Sequence, residues 1–184
     1  MSVRKRPSRP ADLTDQQREL YQRIAGGPRA AESAFPLTDE DGALNGPFDA
    51  MLLAPVIGDA LQSVGSALRF GGRLSDRARE IAILLVAHHY ASRFEIFAHE
   101  AVGRRIGLSE DELTDLSVGR VPDSCDRHES EAAAVVQRLL EHGALDDEAY
   151  ARARDHLGEQ LIFEITTLVG YYSLLAMQLR VFGR

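Results

Sequence analysis

The sequence predicts an all-α protein, a helical bundle built around an antiparallel helix hairpin. Three observations carry that expectation. Over residues 75–90 the apolar Ile81, Leu84, Leu85 and His88 recur at the three- and four-residue spacing of one helix face. Capping signatures and glycines punctuate the chain at intervals that suit helices. No alternating apolar and polar pattern persists long enough to build a strand.

Taken in order, Thr14 with Gln17 forms a capping box that opens a short helix running to Ala25, and Gly26-Gly27-Pro28 ends it. Residues 26–46 are rich in Gly, Pro and acidic turns and are expected to be irregular, wrapping the surface or reaching a neighbouring subunit. Pro47 starts a short helix and Pro55 starts another that ends near Gly71. The central pair covers Ser75 to Tyr90 and Arg93 to Ile106, with the chain reversing near Ala91. Ser109 with Glu112 caps a helix ending at Gly119, Asp126 with Glu129 one ending at Gly143, and Asp146 opens one ending at Gly158. A final helix fills the remainder. Glu80-Ile81-x-x-Leu84-Leu85 is echoed by Glu164-Ile165-x-x-Leu168-Val169 at an offset of 84 residues, the mark of either chance or an old helix duplication. In a duplicated half the positions equivalent to 95 and 99 hold Leu179 and Gly183, so that half is scaffold.

With 184 residues, 45% of them hydrophobic, the chain suffices for one substantial core, expected over 14–184 behind a disordered basic tail at 1–13. That tail holds Arg4, Lys5, Arg6 and Arg9 between prolines and lacks the apolar core of a secretory signal. A net charge of −7 disfavours nucleic acid as a partner. Ile165 to Leu179 is uncharged for 15 residues yet includes Thr166, Thr167, Ser173 and Gln178, which reads as a core or interface helix and not a bilayer span. A lone Cys125 permits no intrachain disulfide, and the expected location is cytoplasmic.

Glu80, Ser92, Glu95 and His99 are spaced by 12, 3 and 4 residues across the two central helices. Glu95 and His99 stand one turn apart on one face, where a carboxylate holds an imidazole in one tautomer. Glu80 lies about as far before the turn as His99 lies after it, so the three groups converge in an antiparallel hairpin. Phe94, Ile96 and Phe97 make the second helix apolar on more than one face, which places the pair in a partly buried pocket. Plainer roles stand beside these. Glu95 and His99 alone make an ordinary surface pair, Glu80 suits a structural carboxylate bonded to backbone or Arg79, and Ser92 suits a helix cap. His88 and His89, at a helix end, suit the helix dipole as imidazolium. Glu164 either pairs with an arginine such as Arg180 or lines the same pocket, and Tyr171 and Tyr172 read as core first and as an oligomer contact second. The convergent set holds a single histidine, with no H-x-x-x-H or C-x-x-C pair, which argues against a metal, and no cofactor-binding motif is present.

These residues resemble the carboxymuconolactone decarboxylase family, whose fold is that of alkylhydroperoxidase D. The resemblance rests on Glu95-Ile-Phe-Ala-His99 as the E-x-x-x-H motif of the decarboxylase branch, on Gly46-Pro47-Phe48, on Leu74-Ser75 followed by Arg79-Glu80-Ile81-Ala82-Ile83-Leu84, and on Gly107-Leu108-Ser109. In the peroxidase branch, Ser92 and Glu95 would be the two cysteines of a C-x-x-C motif, and both sulfurs are absent here. The resemblance implies an AhpD-like domain and a cofactor-free lyase or isomerase acting on a carboxylated lactone or related small acid. It also implies a homo-oligomer, a trimer or hexamer. In that reading His99 delivers a proton to the enolate-like anion left by loss of CO2, Glu95 and Glu80 orient it, and Ser92 with Arg93, Arg73 or Arg77 receives the substrate. The alternatives are a thiol peroxidase of the alkylhydroperoxidase class and an oligomeric binding protein of this fold without catalysis.

Overall fold

The computed structural model describes residues 7–27 and 35–182, and among them there are nine α-helices and no strand. The helices are α1 (Asp15–Ala25), α2 (Phe48–Met51), α3 (Pro55–Phe70), α4 (Asp76–His89), α5 (Arg93–Arg105), α6 (Glu110–Ser117), α7 (Arg127–His142), α8 (Asp147–Leu157) and α9 (Glu159–Phe182). The all-helical expectation holds, and so do most helix ends, because their signals are local. Thr14, Ser109 and Asp126 each close a full capping box with Gln17, Glu112 and Glu129, and Ser75 and Asp146 cap α4 and α8 with single side-chain bonds.

The chain falls into two compact units, residues 1–71 with 177–184 and residues 72–176. In the first unit α1 and α2 pack on α3. Gly58 is what allows the approach: a Cβ there would lie 2.3 Å from the Met51 carbonyl oxygen and 2.9 Å from the Leu20 side chain. Of the basic tail, residues 1–6 lie outside the described residues. From there on the chain is anchored, with a 3₁₀ turn at Pro10–Asp12 and the Ser8 N–H donating to Asp49. Of the irregular 26–46 segment, residues 28–34 lie outside the described residues. The rest folds into a tight turn bridged at Thr38 and Leu44, with Leu37, Ala43 and Leu44 buried.

The second unit is organised on α4, which is buried without interruption from Ala78 to Ala87 and packs against α5, α6 and α7. A helix apolar all round belongs inside a bundle. The α4–α5 reversal falls at Ala91, the one non-glycine with positive φ (48°) among the described residues, a left-handed conformation that costs a non-glycine about 1–2 kcal/mol. Hydrogen bonds from the Ala91 N–H to His88 and from the Ser92 N–H to Ala87 hold the turn closed. The final helix α9 has 24 residues, longer than its uncharged stretch suggests. By length and composition it is the one described helix able to cross a membrane, yet Ile162, Ile165, Leu168, Val169, Tyr171, Tyr172, Leu175 and Ala176 are buried against protein.

Candidate functional site

Three acid/base side chains converge inside the second unit, as their spacing predicts. Glu80, on the continuously buried α4, is fully enclosed, with Glu95 at 2% and His99 at 9% exposure on α5. Of the two carboxylates expected to orient the imidazole, Glu80 is the one bonded to it. His99 Nδ1 shares a 2.6 Å hydrogen bond with Oε2 of Glu80, across the hairpin, and not with Glu95 one turn away. If Nδ1 carries the proton that the carboxylate accepts, Nε2 is the nitrogen left for chemistry. The Tyr172 ring meets the imidazole edge-on with centroids 5.1 Å apart, and Tyr171 stacks in the same way on Tyr172 at 5.3 Å. These tyrosines are core residues, as expected, and one of them is also a wall of the site.

Glu95 lies beside Ser92 and His99. Neither of its buried oxygens makes a hydrogen bond, and burial pushes its carboxyl up to about 7, with the nearby Ser92 hydroxyl and His99 opposing that only in part. Ser92 and Glu95 have the S-x-x-E spacing of a capping box at the start of α5, yet no side-chain cap bond forms. The Ser92 hydroxyl is buried and unbonded as well. Two residues able to cap a helix are thus turned inward beside the dyad. The cap reading of Ser92 holds for the backbone and fails for the side chain.

The proposed substrate arginines are not brought together with this centre. Arg77 is consumed by structure: its Nε donates to Glu129 at 2.9 Å, and its two terminal nitrogens to Glu112 at 2.7 Å and to the Gly107 carbonyl at 3.2 Å. The exposed Arg73 gives its backbone N–H to Glu164 and its side chain to Gln160, and Arg93 is exposed at the start of α5. Glu164 accepts from the N–H groups of Arg73 and Leu74, so it fixes the segment before α4 and does not join the dyad. The arginine that does approach is Arg79, 8% exposed, with Nε 3.8 Å from Glu80 Oε1. The sequence offered it only as the partner of Glu80 in a structural reading.

His88 departs from the imidazolium reading, since burial pushes it down and its Nε2 is buried without a partner. A surface pocket between α4, α6 and α7 is lined by Leu85, His88, His89, Val118, Gln137 and Glu141 and includes no member of the dyad. Among the described residues no group of three or more His, Cys, Asp or Glu side chains is placed to hold a metal ion.

No protein-family model matches the chain, and no curated protein matches it by sequence. Solved structures do. A protein of unknown function from Agrobacterium tumefaciens, described as a putative antioxidant defence protein AhpD, superposes with a TM-score of 0.64 at 21% identity, covering 75% of this chain and 95% of its own. An uncharacterized peroxidase-related protein from Silicibacter sp. TM1040 gives 0.73 at 14% identity, covering 99% of this chain and 93% of its own. At such identities the likeness concerns the fold, and what it establishes is that this chain has the all-α fold of AhpD-like proteins.

Proposed function

We propose that the chain is a cofactor-free lyase or isomerase acting on a carboxylated lactone or related small organic acid, with the Glu80–His99 dyad as its acid/base centre. The observation that carries the proposal is the 2.6 Å hydrogen bond between a fully enclosed carboxylate and an imidazole that keeps a small exposure. Loss of CO2 from a carbon conjugated to a carbonyl leaves the bonding electron pair in an enolate. The imidazolium form of His99 gives its Nε2 proton to the enolate carbon and regains one from water. Glu80 holds the ring and supplies the counter-charge while it is protonated, and Tyr172 limits its rotation. Glu95 is the second acid, near half-protonated around neutral pH and so able to give or take a proton.

The experiment is turnover by His99→Ala on 4-carboxymuconolactone and a panel of related carboxylated lactones. A positioned acid/base group contributes about 10²- to 10⁴-fold, and the variant is expected to lose that much while remaining folded. Unchanged turnover would return the dyad to a structural role and favour a binding protein of the same fold.

The thiol-peroxidase reading has less support. Its nucleophile must be a thiolate, and burial followed by the neighbouring Glu129 pushes the Cys125 thiol up to about 11. Cys125→Ser is expected to leave the lyase activity untouched. Assembly as a trimer or hexamer belongs to the same proposal, supported by the exposed Phe163, Met177 and Val181 on α9.

A further inference from the structure

We propose that Arg79 is the positioning residue of the dyad: its guanidinium holds the Glu80 carboxylate in the orientation that keeps the proton of His99 on Nδ1. Glu80 is fully enclosed, and a carboxylate out of water requires compensating charge or hydrogen bonds on both oxygens. Oε2 has His99, whereas Oε1 has no hydrogen bond. Facing Oε1 at 3.8 Å is Nε of Arg79, itself buried and unbonded. At 3.8 Å the contact is an ion pair and not a hydrogen bond, and both atoms are shut off from solvent. Adjacent helix residues do not ordinarily meet. Here Arg79 folds back one turn and bonds Asp76 at 2.6 Å, which carries its Nε past Glu80.

The groups around the ring leave this duty to Arg79. From α5 come Glu95 and Ser92, and from α9 the rings of Tyr172 and Tyr171, none of which brings a positive charge. Arg77, the neighbouring arginine on α4, is spent on Glu112 and Glu129. Asp76 is 70% exposed in its side chain, so the line Asp76–Arg79–Glu80–His99 runs from the rim of the unit to the imidazole. Without the guanidinium, Glu80 has no counter-charge on its free oxygen and is left free to turn, and the ring loses the acceptor that selects its tautomer.

The inference rests on the proposed role of His99 only for its importance, and its test needs no turnover. ¹⁵N shifts of the His99 ring report which nitrogen is protonated, in the intact protein and in Arg79→Met and Arg79→Lys, the first removing the charge at similar volume and the second keeping it. In its neutral form the wild-type ring is expected to show one tautomer, protonated at Nδ1. Arg79→Met is expected to lose that single pattern and Arg79→Lys to restore most of it, with Arg79→Gln replacing the Met variant if the latter does not fold. A His99 pattern unchanged by loss of the charge would overturn the proposal, as would equal loss in the Lys variant, which would show that packing and not charge is read. If the tautomer responds while His99→Ala keeps its turnover, the lyase reading fails and the positioning role stands.

Discussion

Glu80 and His99 stand 19 positions apart in sequence and share a 2.6 Å hydrogen bond between helices α4 and α5, inside a unit where Glu80 meets no solvent. A carboxylate and an imidazole in that geometry act as one group, so removing either should remove the function of both. Glu80→Gln and His99→Ala are each expected to lower kcat/KM by about 10²-fold or more, and the double variant to be little worse than His99→Ala alone. A double-mutant cycle on the lactone substrate measures this, and additive losses would show two independent roles.

Arg77 ties the loop at Gly107 and the capping residues of α6 and α7 to α4, with Glu112 and Glu129 both nearly buried. Losing it leaves two enclosed carboxylates without their cation, a class of change that costs about 3–5 kcal/mol. Arg77→Met should therefore lower unfolding stability by about 3 kcal/mol, while Arg93→Ala, at an exposed position, should change it little. Glu112 has its carboxyl held down at about 2, chiefly by the Arg77 guanidinium, so its share of that stability is complete above the ordinary carboxylate range and is lost as pH falls through 2. Urea titrations of both variants at neutral pH and of wild type at falling pH read these effects.

Gly170 sits in the middle of α9, exposed, and a Cβ built there meets nothing within 4 Å. Within one chain, glycine at such a position costs about 1 kcal/mol relative to alanine for no return. The proposed assembly supplies a return, since glycine lets another helix approach closely. Gly170→Ala is then expected to weaken association in light scattering and sedimentation without lowering the stability of the subunit. A monomeric wild type at micromolar concentration would remove the assembly from the proposed function.

The helices were legible where their signals were local. Caps at Thr14, Ser109 and Asp126, prolines at 47 and 55 and the reversal at Ala91 all act over a few residues, and the structure keeps each of them. The convergence of Glu80, Glu95 and His99 was legible because helix rise fixes depth along a hairpin. Helix rotation was not. Whether His99 turns to Glu95 or to Glu80 depends on how α5 rolls against α4, which spacing does not encode, and so both carboxylates stood as its partners. The same holds for the arginines: Arg77 and Arg79 stand two residues apart on α4, and only packing sends one to Glu112 and Glu129 and the other to Glu80.

Glu95 provides the sharpest test of whether this centre is retained for chemistry. Its carboxyl, enclosed and unbonded, is pushed by burial from its ordinary value of 4.5 up to about 7, against smaller effects of Ser92 and His99. A folded-state value above the unfolded one means that folding takes up a proton between those pH values. The associated stability is then complete below pH 4.5 and is lost as pH rises through 7, a change of about 3 kcal/mol for this group taken alone. Glu95→Gln should abolish that slope, and Glu95→Met, which removes two unsatisfied oxygens, should raise stability at pH 8. Urea unfolding of the three proteins at pH 5 and pH 8 decides the matter. A wild type no less stable at pH 8 relative to its Gln variant would show that Glu95 finds a partner in solution. A Met variant that is more stable yet loses turnover would show that the chain keeps an unfavourable buried acid because the reaction uses it.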